Sequence, residues 1–216
     1  MTRSFNLGVA WALRREAWSP EKFAFNFWYV VNDSILPDGQ DTLSALSEFA
    51  AHHADCGQIQ PYCSNSPSKY QRAMGDGDAH VVSYIETICP MITRMAIEIP
   101  KLYDERFYYG WGNDYDSAYN IHCAGYRNYI HNLVRVYHDA GTTVKIGGSE
   151  DFKTVPEQFS KSRANMYEGL IEKHGQNWQR NILDAIPPDV DPMAYIDWIC
   201  NVGQDIKYEE LTKCKA

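Results

Sequence analysis

Apolar residues along this chain recur mostly at the three-, four- and seven-residue spacings of helices that bury one face. Phe5, Val9, Trp11, Ala12 and Leu13 open the series over residues 5–18. Ser19-Pro20-Glu21 places a capping serine before a proline at the first helical position, which predicts a second helix to about Asn32. Its Phe23, Phe27, Trp28, Val30 and Val31 imply burial over much of its surface. Asp41 caps a third helix from Thr42 to about Asp55. Leu43, Leu46, Phe49, Ala50 and His53 share one face of it, and Glu48 and His52 sit one turn apart on the other. The richest apolar run, residues 79–99, predicts a core helix kinked at Pro90 and stopped by Pro100. Tyr119, Tyr126, Ile130, Leu133 and Tyr137 predict a central helix from about Ala118 to Asp139, capped by Asp116 or Ser117 and closed by Gly141. Thr154-Val155-Pro156-Glu157 is a capping box that opens a helix to about Lys173. A further helix covers Trp178 to Ile186. After the Pro187-Pro188 break, Asp191 caps a last one from Pro192 to Val202.

The intervening stretches read as loops. Gln58 to Asp78 carries Pro61, Pro67, Gly75 and Gly77, and predicts a long surface loop with one helical turn near Tyr70 to Met74. Gly110 and Gly112 flank Trp111 and predict a tight turn of positive φ. Thr142 to Ile146 is the single candidate strand, leading into a hinge at Gly147-Gly148. The expected fold is mainly α: one globular helical domain of about seven to nine helices around the pair 79–99 and 118–139, with at most a minor short strand or hairpin. Residues 1–186 form the expected helical core domain, and 187–216 a C-terminal helical appendage packed on it.

Composition narrows the function classes. A formal net charge of −8 weighs against general nucleic-acid binding, which needs a basic surface. No apolar run reaches bilayer-spanning length, so no membrane partner is expected. The N-terminus lacks the layout of a signal peptide, which points to the cytoplasm and to free thiols at the cysteines. The 15 tyrosines and 6 tryptophans supply aromatic side chains with a polar handle, suited to a pocket or an interface as well as to a core.

Candidate chemistry concentrates between Phe107 and Gly141. On a helix over 118–139, Arg127, His131, Arg135 and His138 share one face and His122 lies beside the apolar one. That basic stripe is either a solvated face or a site for phosphate or carboxylate oxygens. Two functions follow. One is a small intracellular hydrolase acting on an anionic small molecule, phosphorylated ones included. His138 and Asp139 would be its catalytic pair, by binding a divalent metal or by acting as acid and base, and Arg127, His131, Arg135, Tyr109 and Trp111 would hold the substrate. The other is a non-catalytic protein-binding or inhibitor module with an aromatic, acidic surface anchored by Trp111, Tyr108, Tyr109 and Tyr115.

Two short resemblances touch this stretch. His138-Asp139, within Val136 to Gly141, resembles the histidine-aspartate pair of the HD phosphohydrolases. That likeness implies an all-helical phosphoesterase binding a divalent metal, with His80 or His122 as the upstream histidine and Asp184 or Asp197 as the downstream aspartate. Phe107 to Asn120 is similar to the tyrosine-glycine turn of plant-type chitinases and phage endolysins. Trp111 stands where that family has arginine, and Ala51 to Gly57 offers Asp55 where the family has its glutamate.

Overall fold

The computed structural model describes residues 2–18, 26–31, 33–139 and 153–202. The chain is not mainly α. It is an α/β structure in which six strands form a mixed sheet packed against helices. In chain order the elements are α1 (Thr2–Trp18), β1 (Phe27–Trp28), β2 (Ser34–Ile35), α2 (Thr42–His52), β3 (Cys56–Cys63), β4 (Ala79–Val82), β5 (Met91–Ile92), α3 (Arg94–Ile97), α4 (Asn113–Cys123), β6 (Arg127–His138), α5 (Val155–His174), α6 (Trp178–Ala185) and α7 (Met193–Val202). The sheet order is β1-β5-β3-β6-β2, with β4 also paired to β6. The β3–β6 pair is parallel, and the other pairs are antiparallel.

The expected central helix is two elements. Its first half forms as α4. Gly125, at φ +82°, then stops it sixteen residues before Gly141. The Gly125 N–H donates to His122 O and the Tyr126 N–H to Ile121 O, both at 3.0 Å. This is the double hydrogen bond that closes a helix on a left-handed glycine, and Tyr126 packs on the cluster holding Ile121. Beyond that stop, Tyr129, Ile130, Val134, Val136 and Tyr137 favour a pleated strand. The N-terminus also differs from expectation. Gly112 (φ +93°) is the cap, and neither Asp116 nor Ser117 occupies that position.

Tertiary pairing likewise overrides the helix expected over 79–99. Its residues are divided among β4, the 83–90 segment, β5 and the short α3. A run of apolar residues fits a strand buried on both faces as well as a helix. The loop expected from Gln58 contains most of β3, which is buried along nearly its whole length. Pro61 is tolerated there because the register slips beside it: Pro61 pairs with His131, but Tyr62 pairs with Arg135. Phe27–Trp28 is strand rather than helix. The Ser19-Pro20 start, the 142–146 strand, the Gly147-Gly148 hinge and the tail from Gly203 lie outside the described residues.

Other local signals hold. Asp41 accepts the Ser44 N–H at 3.1 Å. Thr154 accepts the Glu157 N–H at 3.2 Å, while Glu157 reaches back to the Lys153 N–H at 2.9 Å. A 3-10 turn at Lys69–Gln71 stands where one helical turn was expected.

The largest core cluster joins Tyr84, Ile85, Phe107, Tyr115 and Ile130 to Met166, Leu170, Ile182, Leu183, Tyr195 and Ile199. Phe107 is fully enclosed. A Cβ built on Gly112 would lie 2.6 Å from its ring, and one on Gly169 would lie 2.9 Å from it. Glycine is therefore required at position 112 both for its φ and for the approach of Phe107. Gly39 has a comparable φ of +74° and open space around it. Urea unfolding should show Gly39→Ala costing about 1 kcal/mol, and Gly112→Ala about 3 kcal/mol because crowding adds to the φ penalty. Equal losses at the two positions would contradict the packing assigned to Phe107.

Candidate functional site

On a strand, the expected basic stripe disperses. Arg127 and Arg135 lie eight positions apart on β6, roughly 26 Å at strand rise. Arg127 is engaged by two carboxylates, with Asp189 at 2.6 Å and Asp55 at 3.1 Å. His131 is buried near the Phe49 ring, at 5.9 Å between centroids, and burial lowers its pKa. Arg135 is exposed, with its backbone bracketed by the Gln40 side chain. His138, at the strand's end, places Nε2 3.1 Å from Asp33 Oδ1. The Asp139 N–H donates to Asp33 O at 3.0 Å. Tyr109 and Trp111 are half-buried on α5, the first with its N–H 3.4 Å from Asn165 Oδ1 and the second with its ring 5.4 Å from Phe159. Of the aromatic anchors, Tyr108 is 65% exposed, whereas Tyr115 is 4% exposed and belongs to the core.

Among the described residues no group of three or more His, Cys, Asp or Glu side chains is arranged to hold a metal ion. The metal-binding expectation at His138 and Asp139 loses its support accordingly. The all-helical fold implied by the phosphohydrolase resemblance is also not the fold observed. His122 is buried, with Nε2 2.9 Å from Ser83 O, and burial lowers its pKa. No described helix is long and apolar enough to cross a membrane.

The structure brings together a different pair. The 83–90 segment follows β4 and carries Glu86 and Thr87 past the start of α4, where Asp114 lies in the first turn. Thr87 donates to Asp114 Oδ1 twice, from its backbone N–H at 2.8 Å and from its hydroxyl. Ser66 Oγ donates to Glu86 Oε1 at 3.1 Å. Aromatic rings close over the pair: Tyr84 lies 4.8 Å from Tyr115, and Tyr115 stacks at 3.5 Å on Trp198 of α7. Tyr103 is a further buried neighbour of Asp114, its pKa raised by burial and then by the Asp114 charge.

Burial pushes the Glu86 carboxyl up to about 7, helped by the neighbouring Asp114 charge. Burial pushes Asp114 up to about 6 against the two Thr87 hydrogen bonds, which favour its ionised form. Glu86, Thr87 and Asp114 nevertheless remain half-buried rather than sealed. Crowded carboxyls that solvent still reaches, with midpoints at about 6 and about 7, meet a condition often found in groups that exchange protons with a substrate.

Neither carboxyl stood out in the sequence. Asp114 read as turn chemistry. Glu86 is one acid in the apolar run Val81 to Ile92, and that isolation was the available signal. Comparison with protein families, curated proteins and solved structures finds no match for this chain.

The raised midpoints carry a stability consequence. A carboxyl that titrates higher in the folded chain than its ordinary value binds its proton more tightly when folded. That contribution is complete below about pH 4 and is lost as pH rises through about 6 for Asp114 and about 7 for Glu86. After discounting for solvent access, Glu86→Gln should therefore gain about 1–2 kcal/mol relative to wild type between pH 4 and pH 8. Urea unfolding at the two pH values measures this, and a difference independent of pH would remove Glu86 from the raised pair.

Proposed function

We propose that this protein is an enzyme in which Glu86 and Asp114 move protons during group transfer at a C–O bond of a neutral, hydroxyl-rich substrate such as a sugar. The observation that carries the reading is the half-buried carboxyl pair with both midpoints displaced toward neutrality. Near neutral pH one carboxyl can hold a proton for a leaving oxygen while the other accepts one from an incoming hydroxyl. Paired carboxyls of this kind are the means by which glycosidic bonds are commonly broken and remade. The surroundings favour an uncharged substrate. The influences that set the two midpoints are burial, the Asp114 charge acting on Glu86, the Ser66 hydroxyl, and the hydroxyl and N–H of Thr87, with no lysine or arginine among them. Trp198, half-buried and stacked on the core ring of Tyr115, adds ring surface suited to the apolar face of a sugar. Asp114 and Tyr115 lie within the stretch 107–139 in which the sequence concentrates its chemistry.

A second reading keeps the anionic substrate and assigns proton abstraction to His138. Its support is the 3.1 Å contact with Asp33, the kind of carboxylate partner that orients a histidine base.

Thermal-shift measurements near pH 6.5 separate the two. The panel would set neutral mono- and oligosaccharides and polyols against phosphates and carboxylates. Saccharides should raise Tm by several degrees at concentrations well above Kd, and the rise should vanish in Asp114→Asn while its unliganded Tm is kept. A response to anions alone, unchanged in Asp114→Asn and abolished in His138→Ala, would overturn the carboxyl-pair reading in favour of the second.

A further inference from the structure

We infer that Gln71 is the positioning residue of this site, a side-chain amide standing in for a strand neighbour and setting where Glu86 lies relative to Asp114. The inference rests on the carboxyl-pair reading. After Val82 the chain leaves its backbone pairing with β6, yet residues 84–86 must still be fixed if Glu86 is to hold its place. Gln71, fully buried in the 3-10 turn, does this with both ends of its amide. Its Nε2 donates to Tyr84 O at 3.0 Å, and its Oε1 accepts the Glu86 N–H at 3.1 Å. Bonding to the carbonyl of one residue and the amide of the residue two further on is how a peptide in a parallel sheet engages its neighbour. The amide thus extends the sheet by one rung where no backbone strand is paired.

The bracket is itself anchored. Gln60, also fully buried, donates from Nε2 to Gln71 Oε1 at 3.2 Å. Its own Oε1 lies 3.5 Å from the Cys89 N–H at the other end of the same segment. Two glutamines, one from β3 and one from the turn, therefore frame residues 84–89. That segment carries Glu86, and it also carries Thr87, which clamps Asp114. Both carboxyls are positioned through it. Polar groups this deeply buried are retained only where their hydrogen bonds are made, and here those bonds end on the backbone on either side of Glu86.

The test is a carboxyl ¹³C NMR titration of Glu86 in wild type, Gln71→Met and Gln71→Glu. Methionine keeps the volume and removes both hydrogen bonds to the segment, together with the one from Gln60. Glutamate keeps the acceptor and loses the donor. In Gln71→Met the segment should loosen, Glu86 should hydrate and separate from Asp114, and its midpoint should fall by roughly one pH unit or more toward the ordinary glutamate range. Gln71→Glu should fall between Gln71→Met and wild type. An unchanged Glu86 midpoint in folded Gln71→Met, with wild type titrating near 7, would overturn the inference and leave the carboxyl-pair reading intact. A wild-type midpoint in the ordinary range would instead overturn the carboxyl-pair reading. Should Gln71→Met fail to fold, hydrogen exchange in wild type decides. The Glu86 amide should be protected as strongly as the amides of β6, and fast exchange there would refute the bracket.

Discussion

Strand β6 is hydrogen-bonded along both edges, to β3 on one side and to β4 and β2 on the other, and the rest of the molecule is arranged to make that so. A buried strand has no water to satisfy its amides and carbonyls, and each group left unpaired costs about 1–3 kcal/mol. Covering twelve residues on two edges takes three other strands. Where those fall short, side chains complete the pairing. Asn132 holds the 74–77 turn through the Met74 N–H, Met74 O and Gly77 O. Asn65 brackets the backbone of His138, and Gln40 that of Arg135. The amide that flanks Glu86 belongs to the same practice.

Several local signals in the sequence survived where one or two residues act on the backbone beside them, although the cap expected at Asp116 or Ser117 did not. Asp41, Thr154 and the glycines at 110 and 112 behave as their chemistry requires, because a cap or a positive φ is settled within a few bonds. What failed was the choice of period. Tyr126, Ile130, Leu133 and Tyr137 satisfy a helical spacing, yet the strand follows because Gly125 stops α4 and because β3 waits at a distance with matching edges. No window of the sequence contains that second fact. Pro61 helped make β3 look like a loop, and the register slip makes it tolerable in the middle of a sheet, where Asn128 and Gln71 partner the buried Gln58 and Gln60.

The candidate site was legible only in part, for a related reason. Titratable side chains were visible as a cluster in 107–139, but acids and histidines close in sequence were separated by the strand, while two carboxyls 28 residues apart met through Thr87. Both gain their character from burial, Glu86 with help from the Asp114 charge, and neither condition is a property of the residues beside them in the chain. The histidines illustrate the converse. Burial lowers the pKa of His122 and His131, and His138 takes its partner from just before the neighbouring strand β2, 105 residues away in sequence.

The parallel union of β3 with β6 also governs how the molecule is made. Cys56 pairs with Arg127 and Gln58 with Asn128, so the chain must close a loop of about 70 residues before the first rung forms, at an entropic cost of about 4 kcal/mol. No hairpin can nucleate this pairing, and the high sequence separation of its contacts sets a slow folding rate. Glu86 and Asp114 both sit inside that loop. Their meeting is therefore not a local event available to a partly folded chain. It is completed with the sheet, because the 83–90 segment that carries Glu86 follows β4, and β4 pairs with β6.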